Sequence, residues 1–176
     1  MHIDPPNEPS SILLDPALTL FQKVLLTTDG TVTQLLELYT GQSVRVHKLD
    51  QQVAPGAASQ ALQTQSGDMI LNRRILLCTE QQNLLYAESR FVIDRLPAGV
   101  QQQLIETDRP IGLLWREHHM ETYREIVVQQ REVAGELAAH FALDAGTTLL
   151  SRSYLIYHHE QPLGMITEKF PIEYFR

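Results

Sequence analysis

The chain has 176 residues, of which 43 % are hydrophobic and 20 % charged, with a formal net charge of −7, the make-up of an ordinary globular protein long enough to bury a substantial core. That acidic balance, without any run of Lys or Arg, excludes the electrostatic footprint of a nucleic-acid-binding surface and leaves any anion site to local arginines. The single cysteine excludes an internal disulfide, and no apolar run reaches the roughly 18 residues of a membrane span, so a cytoplasmic protein with no membrane insertion is expected.

Residues 1–16 carry four prolines and are expected to form a flexible lead-in to a single domain over residues 17–176. Residues 17–26 are mostly apolar and read as a short helix that ends before the Thr27, Thr28, Asp29, Gly30 turn. Thr31 or Thr33 can cap the next helix, VTQLLELYTG, in which Val32, Leu35, Leu36 and Tyr39 recur at helical spacing before Gly41 stops it. Residues 43–52 alternate as a strand. A loop rich in Ala, Gly, Ser and Gln, residues 53–67, then leads into a hairpin over residues 68–94, with arms DMILNRRILLC and LLYAESRFVID joined by the polar TEQQN.

Three arginines lie inside the hairpin arms: Arg73, Arg74 and Arg90. Alternation puts Arg73 on the face of Leu71, Ile75 and Leu77, and Arg74 on that of Asn72, Leu76 and Cys78, so Arg73 points inward. A guanidinium among apolar side chains is costly to desolvate unless paired, and it is shaped to grip a carboxylate. Arg73 or Arg90 therefore pairs with an internal acid such as Glu88 or Glu168, or the arginine marks a pocket for a small acidic molecule. Cys78, mid-strand among leucines, reads as a small buried hydrophobe.

Beyond the hairpin, Val100, Leu104 and Ile105 indicate a helical turn or two, interrupted by Asp108, Arg109 and Pro110. Pro110 is suited to begin a second short helix through Leu113, Leu114 and Trp115, and the Pro110, Ile111, Gly112 step leaves backbone N–H groups free at its start. Residues 120–132 read as a strand and residues 133–143 as a short amphipathic helix carrying Val133, Leu137 and Phe141. A terminal hairpin follows, with arms at residues 147–158 and 163–170. About five strands with short helices between them predict an α+β fold built on one antiparallel sheet.

In the last arm Glu168 shares a face with Ile166 and Phe170. A carboxyl there either pairs with an arginine or escapes the cost of burial by holding a proton. The adjacent pairs His118, His119 and His158, His159 point their rings apart and make no two-ligand clamp, and no CxxC, HExxH, GxGxxG, GxxxxGK[ST] or GxSxG motif is present. No metal and no nucleotide cofactor is expected. Any chemistry must run on Arg, Glu and backbone groups.

In order and spacing, NRRILLC, LLYAESRFVI, the PIG step and ITEKFP resemble the chorismate pyruvate-lyases of quinone biosynthesis, in particular their short divergent branch with its YAES and LP signatures. The likeness spans residues 29–171. It implies an antiparallel sheet whose helices close over a buried ligand cavity, and an enzyme that splits chorismate into 4-hydroxybenzoate and pyruvate without metal or cofactor, feeding ubiquinone or plastoquinone formation. By position, Arg73 matches the arginine that binds the ring carboxylate. Ile111, beside Gly112, and Val32 match residues whose backbone N–H groups reach that carboxylate, and Glu168 matches the glutamate beside the product hydroxyl. Arg90 matches a further arginine, expected to hold the enolpyruvyl carboxylate. The implied partner is chorismate alone, taken up by a monomer. The tail GTTLLSRSYLIYHHEQPLGMITEKFP also resembles the ligand domain of GntR-type regulators, which share the fold, so an effector-binding module or a non-catalytic aromatic-acid-binding protein is the alternative. The roughly 30 residues before Gly30 are expected to be too few for a regulator's winged helix.

Overall fold

In the computed structural model, which describes residues 11–176, the strand patterns fall into two meanders of three. The first is β1 (Arg45–Pro55), β2 (Met69–Cys78) and β3 (Asn83–Val92); the second is β4 (Tyr123–Val133), β5 (Thr148–His158) and β6 (Gln161–Pro171). Antiparallel pairing of β3 with β6 joins them into one sheet of order β1-β2-β3-β6-β5-β4. The α+β expectation holds, with six strands where about five were expected.

Glycine is required where β3 and β6 meet. A Cβ on Gly164 would come within 2.5 Å of the Arg90 carbonyl oxygen and closer still to the Phe91 ring, so any larger residue would force the two central strands apart.

One face of the sheet carries four short helices, α1 (Leu20–Thr27), α2 (Val32–Thr40), α3 (Ala98–Glu106) and α4 (Ile111–Glu117). None exceeds nine residues, a length at which an isolated helix is marginal, so packing on the sheet holds them. Leu25, Leu26, Leu36, Val100, Leu104, Leu114 and Trp115 bury themselves there against Leu71, Leu85, Phe91, Ile156 and Phe170. A capping box of Thr19 and Gln22 starts α1, and the same two side chains bond the carbonyls of Phe175 and Ile172, which fastens the helix to the C-terminal turn. Gly41 ends α2 at φ 67°, the left-handed conformation expected of it.

The other face is covered only at its ends. Leu76, Tyr86 and Leu149 meet Ala134, Ala138 and Phe141 at one end, and Ile70, Val92 and Leu155 meet Leu62 at the other. Residues 135–141, expected as an α-helix, form a 3-10 helix instead. Val133 is taken by β4, and the segment that remains starts at Gly135, in the left-handed region at φ 54°, and closes on i to i+3 bonds such as Leu137 N–H to the Ala134 carbonyl. Of the 1–16 lead-in, residues 1–10 lie outside the described residues, whereas Ser11–Leu14 form a 3-10 turn with Ile12 and Leu13 packed on the core. Among the described residues no helix is long and apolar enough to cross a membrane.

Candidate active site

Strand register assembles the site on the helix-covered face. Arg73 lies opposite Ser89, Ser89 opposite Ile166 and Ile166 opposite Tyr154, which makes one row across β2, β3, β6 and β5. The adjacent row runs Ile75, Ala87, Glu168, Arg152. Above these rows the starts of α2 and α4 come together, since a Cβ on Gly112 would lie 3.6 Å from the Thr31 side chain. Between sheet and helix starts lies a partly enclosed cavity, about 600 Å³ with its open mouth counted, whose walls are mostly apolar with a few convergent polar groups, the make-up of a small-molecule site. Arg73, Glu168, Val32, Ile111 and Gly112, all singled out by the sequence, line it together.

Arg73 is 5 % exposed and points inward as alternation requires. Both of its Nη atoms donate to the Arg109 carbonyl at 3.3 Å, a long contact, and its Nε, also buried, has no partner among the described residues. Burial pulls its pKa below the ordinary arginine value, opposed in part by the charge of Asp108. Asp108 itself bonds Lys48 at 2.7 Å. The internal partners foreseen for Arg73 are both elsewhere: Glu88 is exposed on the far face, where it accepts from Tyr86, and Glu168 is claimed by another residue.

That residue is Arg152, which sequence reasoning missed. It is fully buried, and its Nε donates to Glu168 Oε2 at 2.7 Å while Tyr154 donates to Oε1 at 3.0 Å. Burial works against the charge on Arg152, but Glu168 and Tyr154 outweigh it and its pKa lies above the ordinary value. Burial, reinforced by the Glu168 charge, drives the Tyr154 phenol far above its usual range. Arg152 Nη1 reaches the Thr28 carbonyl at 2.6 Å, ahead of α2, and Nη2 has no partner among the described residues. The signal for Arg152 was its company: Leu150, Tyr154 and Ile156 share its parity, and serines stand on either side of it.

The helix starts contribute backbone donors. Thr31 occupies the N-cap of α2 as expected, but its hydroxyl makes no capping bond, and Pro110 at the N-cap of α4 has none to make. The N–H groups of Val32 and Ile111, first in their helices, have no acceptor among the described residues and both residues border the cavity.

Arg90 is not part of this group. It pairs in register with Asn72 and Met165, so it projects from the opposite face beside Arg74 and Glu88, in a separate polar groove. A side chain on that face cannot reach a ligand held by Arg73, and the role expected for Arg90 is withdrawn. Among the described residues no three His, Cys, Asp or Glu side chains converge as metal ligands.

Residues 26–176 match the family described as chorismate pyruvate-lyase Rv2949c-like. The chain belongs to that family. A chorismate pyruvate-lyase of Mycobacterium tuberculosis is 29 % identical over 161 residues, covering 88 % of this chain and 81 % of the relative. One of Mycobacterium leprae is 32 % identical over 154 residues, covering 84 % and 72 %. Among solved structures the effector domain of PhnF from Mycobacterium smegmatis superposes with a TM-score of 0.66 at 15 % identity, over 82 % of this chain and 90 % of that one, which shows a shared fold. The lyase family and the effector-domain fold, both foreseen from the motifs, are thus found together in one chain.

Proposed function

We propose that the protein is a chorismate pyruvate-lyase, converting chorismate into 4-hydroxybenzoate and pyruvate for quinone formation. The observation that carries this reading is Arg73, a buried guanidinium facing the cavity with no carboxylate within ion-pair distance among the described residues. Desolvating a cation without a paired acid is unfavourable, so the site is arranged for an acid brought by the ligand. The ring carboxylate of chorismate takes that place, with the N–H groups of Ile111, Gly112 and Val32 around it.

The reaction asks little more of the protein than positioning and charge. Loss of the C4 hydrogen as a proton and rupture of the C3–O bond release enolpyruvate, which becomes pyruvate, and leave an aromatic ring. Aromatisation makes the step downhill, so no cofactor is required. Fixing the substrate and stabilising the departing oxygen lower the barrier. Glu168, with each oxygen already holding one donor, keeps lone pairs for the C4 hydroxyl.

Incubating the purified protein with chorismate should yield 4-hydroxybenzoate and pyruvate in equal amounts. If chorismate persists unchanged, the lyase reading fails. The likeness to PhnF supports a second reading, an effector-binding module, for which the same assay gives saturable binding without product.

A further inference from the structure

Counting charge around the cavity leads past the ring carboxylate. Two arginines, Arg73 and Arg124, and one carboxylate, Glu168, line the cavity, and a third guanidinium, that of Arg152, bonds Glu168. The Arg152–Glu168 pair neutralises itself. Arg73 and Arg124 have no acid within ion-pair distance among the described residues. A chamber with two uncompensated cations is matched to a ligand with two negative charges, and it repels a ligand with none.

The position of Arg124 gives those two charges a separation. It stands on β4, opposite Ile156 of β5, whereas Arg73 is on β2. Four strand spacings lie between β2 and β4 in the sheet order, roughly 19 Å at about 4.8 Å each. The two side chains therefore approach the cavity from opposite walls. Arg124 lies over the Tyr154 ring with its guanidinium carbon 5.2 Å from the ring centre, and one Nη bonds the Gly30 carbonyl at 2.7 Å. Stacking and that bond hold the guanidinium at the cavity wall and leave its other donors free.

We propose that Arg124 is the anchor for a second carboxylate, so that the site selects organic dianions whose acid groups lie at opposite ends of a ring-sized molecule. This rests on the lyase reading, in which the second acid is the enolpyruvyl carboxylate of chorismate, and it gives Arg124 the role expected of Arg90. The bond to Gly30 adds a second task. Arg124 ties the end of the α1–α2 connection to the sheet, so binding at Arg124 and order ahead of α2 are coupled.

Titration calorimetry on the intact protein separates anchoring from tying. The probes are 4-hydroxybenzoate, with one carboxylate, and a stable benzoate ether bearing a carboxyvinyl group, with two. Arg124→Gln should weaken the dicarboxylate by about 30-fold, the size of one charge-assisted hydrogen-bonding contact, and the monocarboxylate less than about 3-fold. Arg124→Lys, which keeps the charge, should recover most of the loss. Equal weakening of both probes would mean that Arg124 only ties the connection, and no weakening would mean that it does neither; each overturns the proposal. The lyase reading fails separately. A wild-type protein that leaves chorismate intact yet needs Arg124 for the dicarboxylate sinks the activity and keeps the anchor, whereas normal turnover of chorismate by Arg124→Gln does the reverse.

Discussion

Arg73 and Arg74 are neighbours in one strand, and the two faces of the sheet put them to opposite use. Arg74 meets Asp50 at 3.0 Å in the open. Around it the acids and bases of that face satisfy each other, as Lys169 does with Glu132 at 2.7 Å, and water solvates the remainder. Arg73 is enclosed under the starts of α2 and α4 with only a carbonyl to bond. Identical chemistry thus becomes a solvated ion pair on one face and a group free to bind on the other, and the difference lies in whether the protein supplies the acid. Withholding it lowers the stability of the empty protein and keeps affinity for a ligand that brings its own.

Replacing each arginine by methionine makes the contrast measurable. For Arg73→Met, kcat/KM for chorismate should fall by at least about 10³-fold, in line with losing a buried charge contact. The midpoint of urea unfolding should hold or rise, because an apolar side chain of similar length is easier to bury. Arg74→Met should leave turnover within about twofold of wild type, since a solvated surface pair contributes little. Comparable activity losses in the two variants would erase the distinction between the faces.

Next in size is Arg152→Met, which strands Glu168 as a buried, uncompensated charge and should cost about 3–5 kcal/mol of unfolding free energy. Adding Glu168→Gln should restore at least half of that loss, because the second change removes the stranded charge. A double variant no more stable than Arg152→Met would show that Arg152 acts through its bond to the Thr28 carbonyl and not through Glu168.

How far these residues could be read in advance depended on whether a strand has one apolar face or two. β2 alternates around Arg73, so parity alone turned the side chain inward; β5 is buried on both faces, and only the serines on either side of Arg152 mark its face. On β3, Leu84 and Tyr86 are buried on one face and Leu85 and Ala87 on the other. A strand covered on both sides gives no sign of which way a neighbour points, and Arg90 was assigned to the wrong face. Arg124 was hidden for another reason. A bulge at Val127 shifts the register of β4 between Ile126 and Val128, so the face of Arg124 continues through odd-numbered residues beyond it. Helix starts, hairpins and family were legible from turn residues and motifs; Arg124 was not, because its place opposite Arg73 depends on the order of strands in the sheet.

The smallest effect tests how closely the enclosed face binds its own protons. Tyr154→Phe removes the donor to Glu168 Oε1 and should lower stability by about 1 kcal/mol at neutral pH. Burial and Glu168 raise the native phenol's pKa well above the value it has in the unfolded chain, which is about 10. Above that pH the folded protein keeps a proton that the unfolded chain has lost, so the contribution of Tyr154 is fully present below pH 10 and declines as pH rises. The stability gap between wild type and Tyr154→Phe should accordingly be constant from pH 7 to about 9 and then close by up to about 1.4 kcal/mol per pH unit. Urea melts of the two proteins at pH 8 and at pH 10.5 decide the matter: an unchanged gap would mean that Tyr154 is solvated in the native state and that the floor of the cavity is open to water.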